Sequence, residues 1–396
     1  LISENFSTRD LNKNQVRDEL DRLDSEDSLR DFIERSWSIL EPKREFQQGW
    51  HIDAICEHLE AVTSGQITRL LINIPPGCMK SLTTNVFWPA WEWGPKGKPD
   101  NRYVGASYSE ALTIRDNRRC RTLIKDPWYQ RLWGNKFQLI AEQDSKIRYD
   151  NDRTGFKIAT SVGGLGTGER GDRWVIDDPH NIKDGESDAK REATLQWFEE
   201  VVPTRVNDPE KSAIVIIMQR VHQRDVSGVI LSKGLDYVHL MIPMEYEPER
   251  RCKTITGFKD PRTKDGELAW PKRMSQKVID RDKQAMTEYA WASQMQQRPA
   301  PRGGGMFKEE WFHIVDKIPD GGITVRAWDL AATTTDRAAF TCGVLVKRTN
   351  DGNIYIMDVI RTKREPGGVE ELIVKTADKD KLNVTVDLPQ DPGQAG

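Results

Sequence analysis

The sequence predicts an α/β protein in two parts: a doubly wound, mostly parallel sheet, followed by a smaller α/β domain. Three observations predict it. Short apolar runs alternate with helical stretches through residues 65–240. Polar residues suited to chemistry fall at the ends of those runs, where open parallel sheets bind their ligands. Beyond a stretch rich in Pro, Arg and Gly, Gln297-Arg298-Pro299-Ala300-Pro301-Arg302-Gly303-Gly304-Gly305, the pattern changes to a meander of strands.

Composition sets the outer bounds. A chain of 396 residues with 37% hydrophobic content can bury two cores. Charged residues make up 31%, and the longest apolar run beside a strand signal, residues 213–218, is far too short to span a bilayer. The first fifteen residues are polar and of mixed charge, so no secretory leader is expected. Five cysteines (Cys56, Cys78, Cys120, Cys252, Cys342) lie far apart with no Cys-x-x-Cys pair, which speaks against zinc or a disulfide frame and for a reducing cytoplasm. A net charge of −3 means that any nucleic acid must be met by local basic patches rather than by the overall field.

Residues 1–40 place Val16, Leu20, Leu23, Leu29, Phe32 and Ile33 at helical spacing, giving two amphipathic helices. A third helix carries Trp50, Ile52, Ile55 and Leu59 on one face, with Gln47 and Gln48 just before it. In many motor ATPases a Gln at such a place reads adenine, and Gln48 is the candidate; a surface Gln pair is the alternative. Next comes the apolar run Leu71-Ile72-Asn73-Ile74, then Pro75-Pro76-Gly77-Cys78-Met79-Lys80-Ser81, then a helical stretch over residues 82–93. Strand, tight turn, Lys-Ser and helix is the layout of a phosphate-binding loop, or P-loop. The backbone of Pro76, Gly77, Cys78 and Met79 would cradle phosphates, Lys80 would reach the outer ones, and Ser81 would ligate Mg²⁺. The regular loop has Gly before the Lys and again six residues before it; here those positions hold Met79 and Ile74. Taken alone, the loop also fits a strand–turn–helix with a surface Lys-Ser.

Downstream, residues 102–109 form a strand ending in hydroxyls. The helix after it carries Arg115, Arg118, Arg119 and Arg121, a basic face for phosphates or a solvated one. Residues 155–171 are glycine-rich and read as a shaped loop. They lead into Trp174-Val175-Ile176-Asp177-Asp178, a strand that delivers two acids at its end. The first acid, Asp177, would hold Mg²⁺, and the second, Asp178, would orient or deprotonate the attacking water. A third strand, 212–218, ends in Gln219-Arg220, whose polar groups could sense the γ-phosphate of ATP. Residues 243–297 read as a subdomain of the same unit, with Tyr289, Trp291 and Met295 as core. The domain scheme is therefore 1–297, a linker at 298–306, and 307–396.

In the second domain, strands are expected near 323–327, 339–347 and 353–361, with Asp351-Gly352 as a hairpin turn. A helix over 368–377 and a last strand over 383–388 follow. An acid at the end of the first strand, a meander, a helix and another strand with acids at its end suit an RNase H-like nuclease, where carboxylates from neighbouring strand ends hold two metals about 3.5–4 Å apart.

In this order the motifs resemble those of the large terminase subunit of tailed bacteriophages, a DNA-packaging motor. The resemblance covers roughly residues 40–396. It rests on the Pro75–Ser81 stretch, Ala106-Ser107-Tyr108-Ser109, Thr167-Gly168-Glu169-Arg170-Gly171, Ile176-Asp177-Asp178-Pro179, Gln219-Arg220-Val221-His222, Trp270-Pro271, residues 294–301 and Trp328-Asp329-Leu330-Ala331. It implies an N-terminal ATPase that drives double-stranded DNA into a procapsid, and a C-terminal Mg²⁺- or Mn²⁺-dependent endonuclease that cuts the concatemer. The implied partners are DNA, a portal protein, a small terminase subunit and further copies of the chain in a ring. The implied location is the host cytoplasm, transiently on the procapsid, with no membrane. Arg170 matches a finger that reaches a neighbouring subunit's nucleotide; an Arg paired with Asp172 or Glu169 is the alternative. Asp329 matches the first nuclease acid, and Asp391 the second, with Asp387 as runner-up. The family's second motor acid is usually Glu, where this chain has Asp178. Its third nuclease acid lies beyond Gly396, so the nuclease domain of this chain is expected to be incomplete and its cleavage weak or absent. The competing reading is a DNA helicase or stand-alone ATPase with a non-catalytic C-terminal domain.

Overall fold

Alternation of side chains divides the first sheet into two apolar faces. The computed structural model describes residues 13–164, 168–300, 311–331 and 340–388. The chain divides into two units, residues 1–306 and 307–396. The first holds strands β1 (Arg69–Asn73), β2 (Tyr103–Ser107), β3 (Leu139–Asp144), β4 (Arg148–Asn151), β5 (Phe156–Ser161), β6 (Arg173–Asp177), β7 (Ala213–Met218) and β8 (Val238–Met241). Their order across the sheet is β3-β4-β5-β2-β6-β7-β1-β8. From β5 to β8 every neighbouring pair is parallel, while β3, β4 and β5 pair antiparallel. The protein is thus mixed α/β with a mostly parallel central sheet.

Period-two alternation puts Leu70, Ile72, Val175, Val215 and Ile217 into one core and Leu71, Trp174, Ile176, Ile214 and Ile216 into the other. The first core is covered by the helices Leu29–Leu40, Trp50–Thr63 and Glu110–Lys125 and by the helical stretch from Lys80 to Trp93, which contains one π turn, Thr83–Phe87. The second is covered by Leu195, Trp197, Phe198 and Val202 and by the helix Val226–Ser232. Burial on both faces explains why the centres of β1 and β6, and the whole of β7, are apolar without alternation.

Two departures from the sequence reading occur here. The stretch at 155–171, expected as a loop, begins with β5, whose Tyr103↔Lys157 register locks it beside β2. The β3–β4 pair was not foreseen. It lies at the sheet edge, where β3 is largely exposed and its sequence carries no apolar alternation.

The subdomain after β8 is tied to the end of β7. The Tyr289 hydroxyl donates to the Val221 carbonyl at 2.9 Å, and the Arg220 N–H donates to the Gln297 side chain at 3.0 Å. Trp291 and Met295 are buried in the first core.

The second unit holds strands β9 (Ile323–Asp329), β10 (Thr341–Arg348), β11 (Ile354–Thr362) and β12 (Val384–Asp387) in the order β11-β10-β9-β12. β9, β10 and β11 form an antiparallel meander, and β12 joins β9 in parallel after the helix Pro366–Asp380. One face of this sheet is held to the helix by Arg326, which is 1% exposed and lies 2.7 Å from Asp380 and 2.8 Å from Asp358.

Candidate functional site

The strand order decides which side chains meet. β7 lies between β1 and β6, with Asn73 opposite Met218 and Asp177 opposite Ile217. The loop after β1, the acids after β6 and Gln219 after β7 therefore converge at one edge of the sheet. The Lys80 ammonium is buried and lies 2.6 Å from each oxygen of Asp178. The Gln219 N–H donates to the same carboxylate at 3.0 Å. Asp177 sits beside them, buried, and accepts a hydrogen bond from Ser81. Burial pushes its carboxyl up to about 7, and the neighbouring Asp178 charge adds to the rise, against the pull of Lys80 and Ser81.

The loop reaches this arrangement with Met79, not Gly, before Lys80. Gly77 has φ +79°, and a Cβ there would come within 3.0 Å of Met274. Met79, just before the Lys, has φ +60°, the left-handed conformation that a Gly would take more easily. Such a residue costs on the order of 1–3 kcal/mol and persists only where its surroundings hold it. Asp178 is also left-handed, at φ +43°.

Two polar atoms at this edge have no hydrogen-bond partner among the described residues although both are buried: Asp177 Oδ1 and Gln219 Oε1. A hard cation on Asp177 and Ser81, with water near Gln219, would satisfy both, so the donor set fits Mg²⁺. Below the loop a cavity of about 820 Å³ opens, walled by Trp37, Gln47, Met79, Ser81, Trp270 and Arg273. The Arg273 guanidinium lies over the Trp270 ring at 5.3 Å.

The remaining predicted residues fall as follows. Gln47, not Gln48, faces the cavity; the Gln48 side chain hydrogen-bonds Asp53 instead. This corrects the choice between neighbours, since an extended segment sends successive side chains to opposite sides. Cys78 is buried in the core and its thiol is pushed up to about 12 by burial, so only its backbone can face an anion. Pro76 is half-buried beside it. Arg220 turns away from the site and pairs with the buried Asp225 at 3.0 Å.

Arg170 is exposed and has no partner among the described residues; Glu169 pairs with Arg148, and Asp172 is held by the Arg102 N–H and by Asn207. It precedes β6, whereas Asp177 ends it. At about 3.3 Å of rise per residue the two are separated by roughly 20 Å, beyond the reach of an Arg side chain. The basic face of the helix Glu110–Lys125 is largely neutralised: Arg115 pairs with Asp116, Arg119 with Glu41 and Arg121 with Asp144. Asp116 is the next residue along the helix, whereas Glu41 and Asp144 come from distant parts of the sequence, so neither a phosphate-binding nor a solvated face describes this helix fully.

Sequence reasoning missed Trp37 and Arg273 as cavity walls. Trp37 sits on a helix whose apolar period reads simply as core, so no signal marked it.

In the second unit, Asp329 and Asp387 are exposed at the ends of β9 and β12. The register Asp387↔Ala327 puts both on the same face of the sheet, since Ala327 and Asp329 are two residues apart. This is the face opposite Arg326. Asp391 lies outside the described residues. No group of three or more His, Cys, Asp or Glu that could hold a metal occurs among the described residues.

No family model and no curated protein sequence matches the chain. Among solved structures the chain is similar to the crystal structure of the HK97 bacteriophage large terminase, with a TM-score of 0.43 and 12% identity over 92% of this chain and 74% of that one. No helix among the described residues is long and apolar enough to cross a membrane.

Proposed function

We propose that this chain is an ATP-driven motor of the large-terminase kind, which moves double-stranded DNA into a viral procapsid, and that its second unit is a metal-dependent endonuclease. The observation that carries the motor reading is the buried Lys80 ammonium, which opens the helix after the β1 loop and is set against both oxygens of Asp178, just past the end of β6. A surface Lys-Ser would not be drawn into a sheet edge against an acid.

In this reading, phosphates lie on the loop N–H groups of 76–81 and compete with Asp178 for Lys80. The competition frees the Asp178 carboxylate to take the proton of a water whose oxygen attacks the γ-phosphorus, as the bond to the β–γ bridging oxygen breaks and ADP leaves. Gln219, fixed by its N–H to Asp178, offers its side-chain oxygen to that water. Ser81 and Asp177 would hold Mg²⁺, which would supply charge neutralisation at the phosphate oxygens. Base and ribose occupy the cavity between Trp37, Gln47 and Trp270. Asp178 is shorter than the Glu usual in this role, and its backbone is left-handed at φ +43°.

Arg170 acts in this account on the nucleotide of a neighbouring copy, which makes a ring of subunits part of the reading. A portal protein and a small terminase subunit are its other partners on the procapsid. In the second unit, Asp329 and either Asp387 or Asp391 would hold Mg²⁺ or Mn²⁺. The reading is tested by ATP hydrolysis with and without long duplex DNA. Stimulation by duplex is expected; hydrolysis indifferent to DNA contradicts a DNA motor.

A further inference from the structure

At the edge of the second sheet that carries Asp329, the opposite strand carries positive charge. Cys342 is the Cα partner of both Asp329 on β9 and Arg361 on β11, so the three stand in one row across the sheet. Alternation puts Phe340 and Cys342 of the first strand segment, and Arg361 and Lys363 of the other, on the face of Asp329 and Asp387. Phe340 is 36% exposed, and the Arg361 guanidinium lies 3.5 Å from its ring centroid, with the Lys363 ammonium at 4.8 Å. Acids thus occupy one half of this edge and cations the other.

Asp329 and Arg361 do not neutralise each other. One strand intervenes between Asp329 and Arg361, a separation of about 10 Å at two strand spacings. Arg361 has no carboxylate partner among the described residues, in contrast to the buried Arg326 on the other face, which has two. An aromatic ring holds the exposed guanidinium in place, which lowers the entropy lost when it captures an anion. Acids that could take a cation and an arginine one strand further suit a phosphodiester strand, whose scissile phosphate sits at the acids and whose next phosphate meets the fork of the guanidinium.

We propose that Arg361, braced by Phe340, is a positioning residue that holds a DNA backbone phosphate beside Asp329 and Asp387. The proposal rests on the nuclease reading of this edge. It is tested with the full chain and a short fluorescent duplex, titrated at several salt concentrations in EDTA. Arg361→Ala is expected to weaken binding and to flatten the plot of log affinity against log salt by about 0.9, the loss of one phosphate contact. Arg361→Lys keeps the charge and is expected to keep the slope. Asp329→Asn removes a negative charge that the strand must approach, and is expected to tighten metal-free binding. An unchanged slope in Arg361→Ala overturns the proposal. So does a flattened slope with affinity indifferent to Asp329→Asn, because the DNA would then cross the arginine without nearing the acids. A parallel Mn²⁺ cleavage assay keeps the two readings apart: cleavage that does not depend on Asp329 removes the nuclease reading, whatever slope Arg361→Ala gives.

Discussion

Lys80 and Asp178 are joined at 2.6 Å although the segments that carry them follow two strands, β1 and β6, that do not touch, with β7 between them. In the proposed motor reading Lys80 is the cation for phosphates and Asp178 the base for water, and this buried contact holds both until a nucleotide competes for Lys80.

Asp178→Asn is expected to leave nucleotide affinity close to wild type and to lower turnover by about 10²- to 10⁴-fold, the usual range for a general base. Fluorescent-nucleotide titration and phosphate release measure the two separately. Loss of binding together with turnover would make Asp178 a structural anchor of Lys80 rather than a base.

Asp177 has a pH signature. Its folded-state value of about 7 lies above the ordinary carboxylate value of 3.8, so between those values the folded protein binds more protons than the unfolded one. Stability from this group is therefore lost as pH rises toward about 7. His51, His180 and His239 act the opposite way: burial lowers them to about 3, 4 and 4, so the folded state resists protonation and stability falls as pH drops below the ordinary histidine value of 6.5. The difference between Asp177→Asn and wild type isolates the aspartate. The melting-temperature advantage of Asp177→Asn is expected to grow from about pH 5 to about pH 8; a constant difference would place the carboxylate in an ordinary environment.

Met79 tests the loop backbone. Met79→Gly suits φ +60° and is expected to keep ATP hydrolysis within a few-fold of wild type. Met79→Val, branched at Cβ, is disfavoured there and is expected to lower turnover at least ~10-fold by shifting Lys80. Equal rates for the two would mean that the loop relaxes freely.

Arg170 cannot reach the site of its own chain, so a role in hydrolysis must be in trans. Arg170→Ala is expected to lose ~10³-fold in turnover, on the scale of arginine fingers. Mixing it with Lys80→Ala should restore part of the activity, since each chain supplies what the other lacks. Lost turnover with no recovery in the mixture would make the role of Arg170 structural rather than that of a finger in trans.

How much of this was legible in the sequence follows from where the signals are local. β1, β6 and β7 are short and buried on both faces, so their apolar centres stand out, with Asp177 and Gln219 at or just past two of the ends and Lys80 beyond the loop after the third. The meander β9–β11 was legible for a related reason, a Asp351-Gly352 turn between alternating strands. What was hidden depends on distant partners. Arg119 finds Glu41 at 78 residues' separation and Arg121 finds Asp144 at 23, so a helix that reads as basic is nearly neutral. Exposed edge strands such as β3 carry little apolar pattern. The choice between Gln47 and Gln48 turns on one residue of phase in an extended segment, which periodicity does not fix.

The measurement that bears most directly on the central claim is the steady-state ATP hydrolysis rate of Lys80→Ala beside wild type, in Mg²⁺ and duplex DNA. Loss of turnover to background, with the variant folded and melting normally, is the predicted result. A rate comparable to wild type would contradict the assignment of Lys80 and Asp178 as the catalytic pair, and with it the motor reading of this chain.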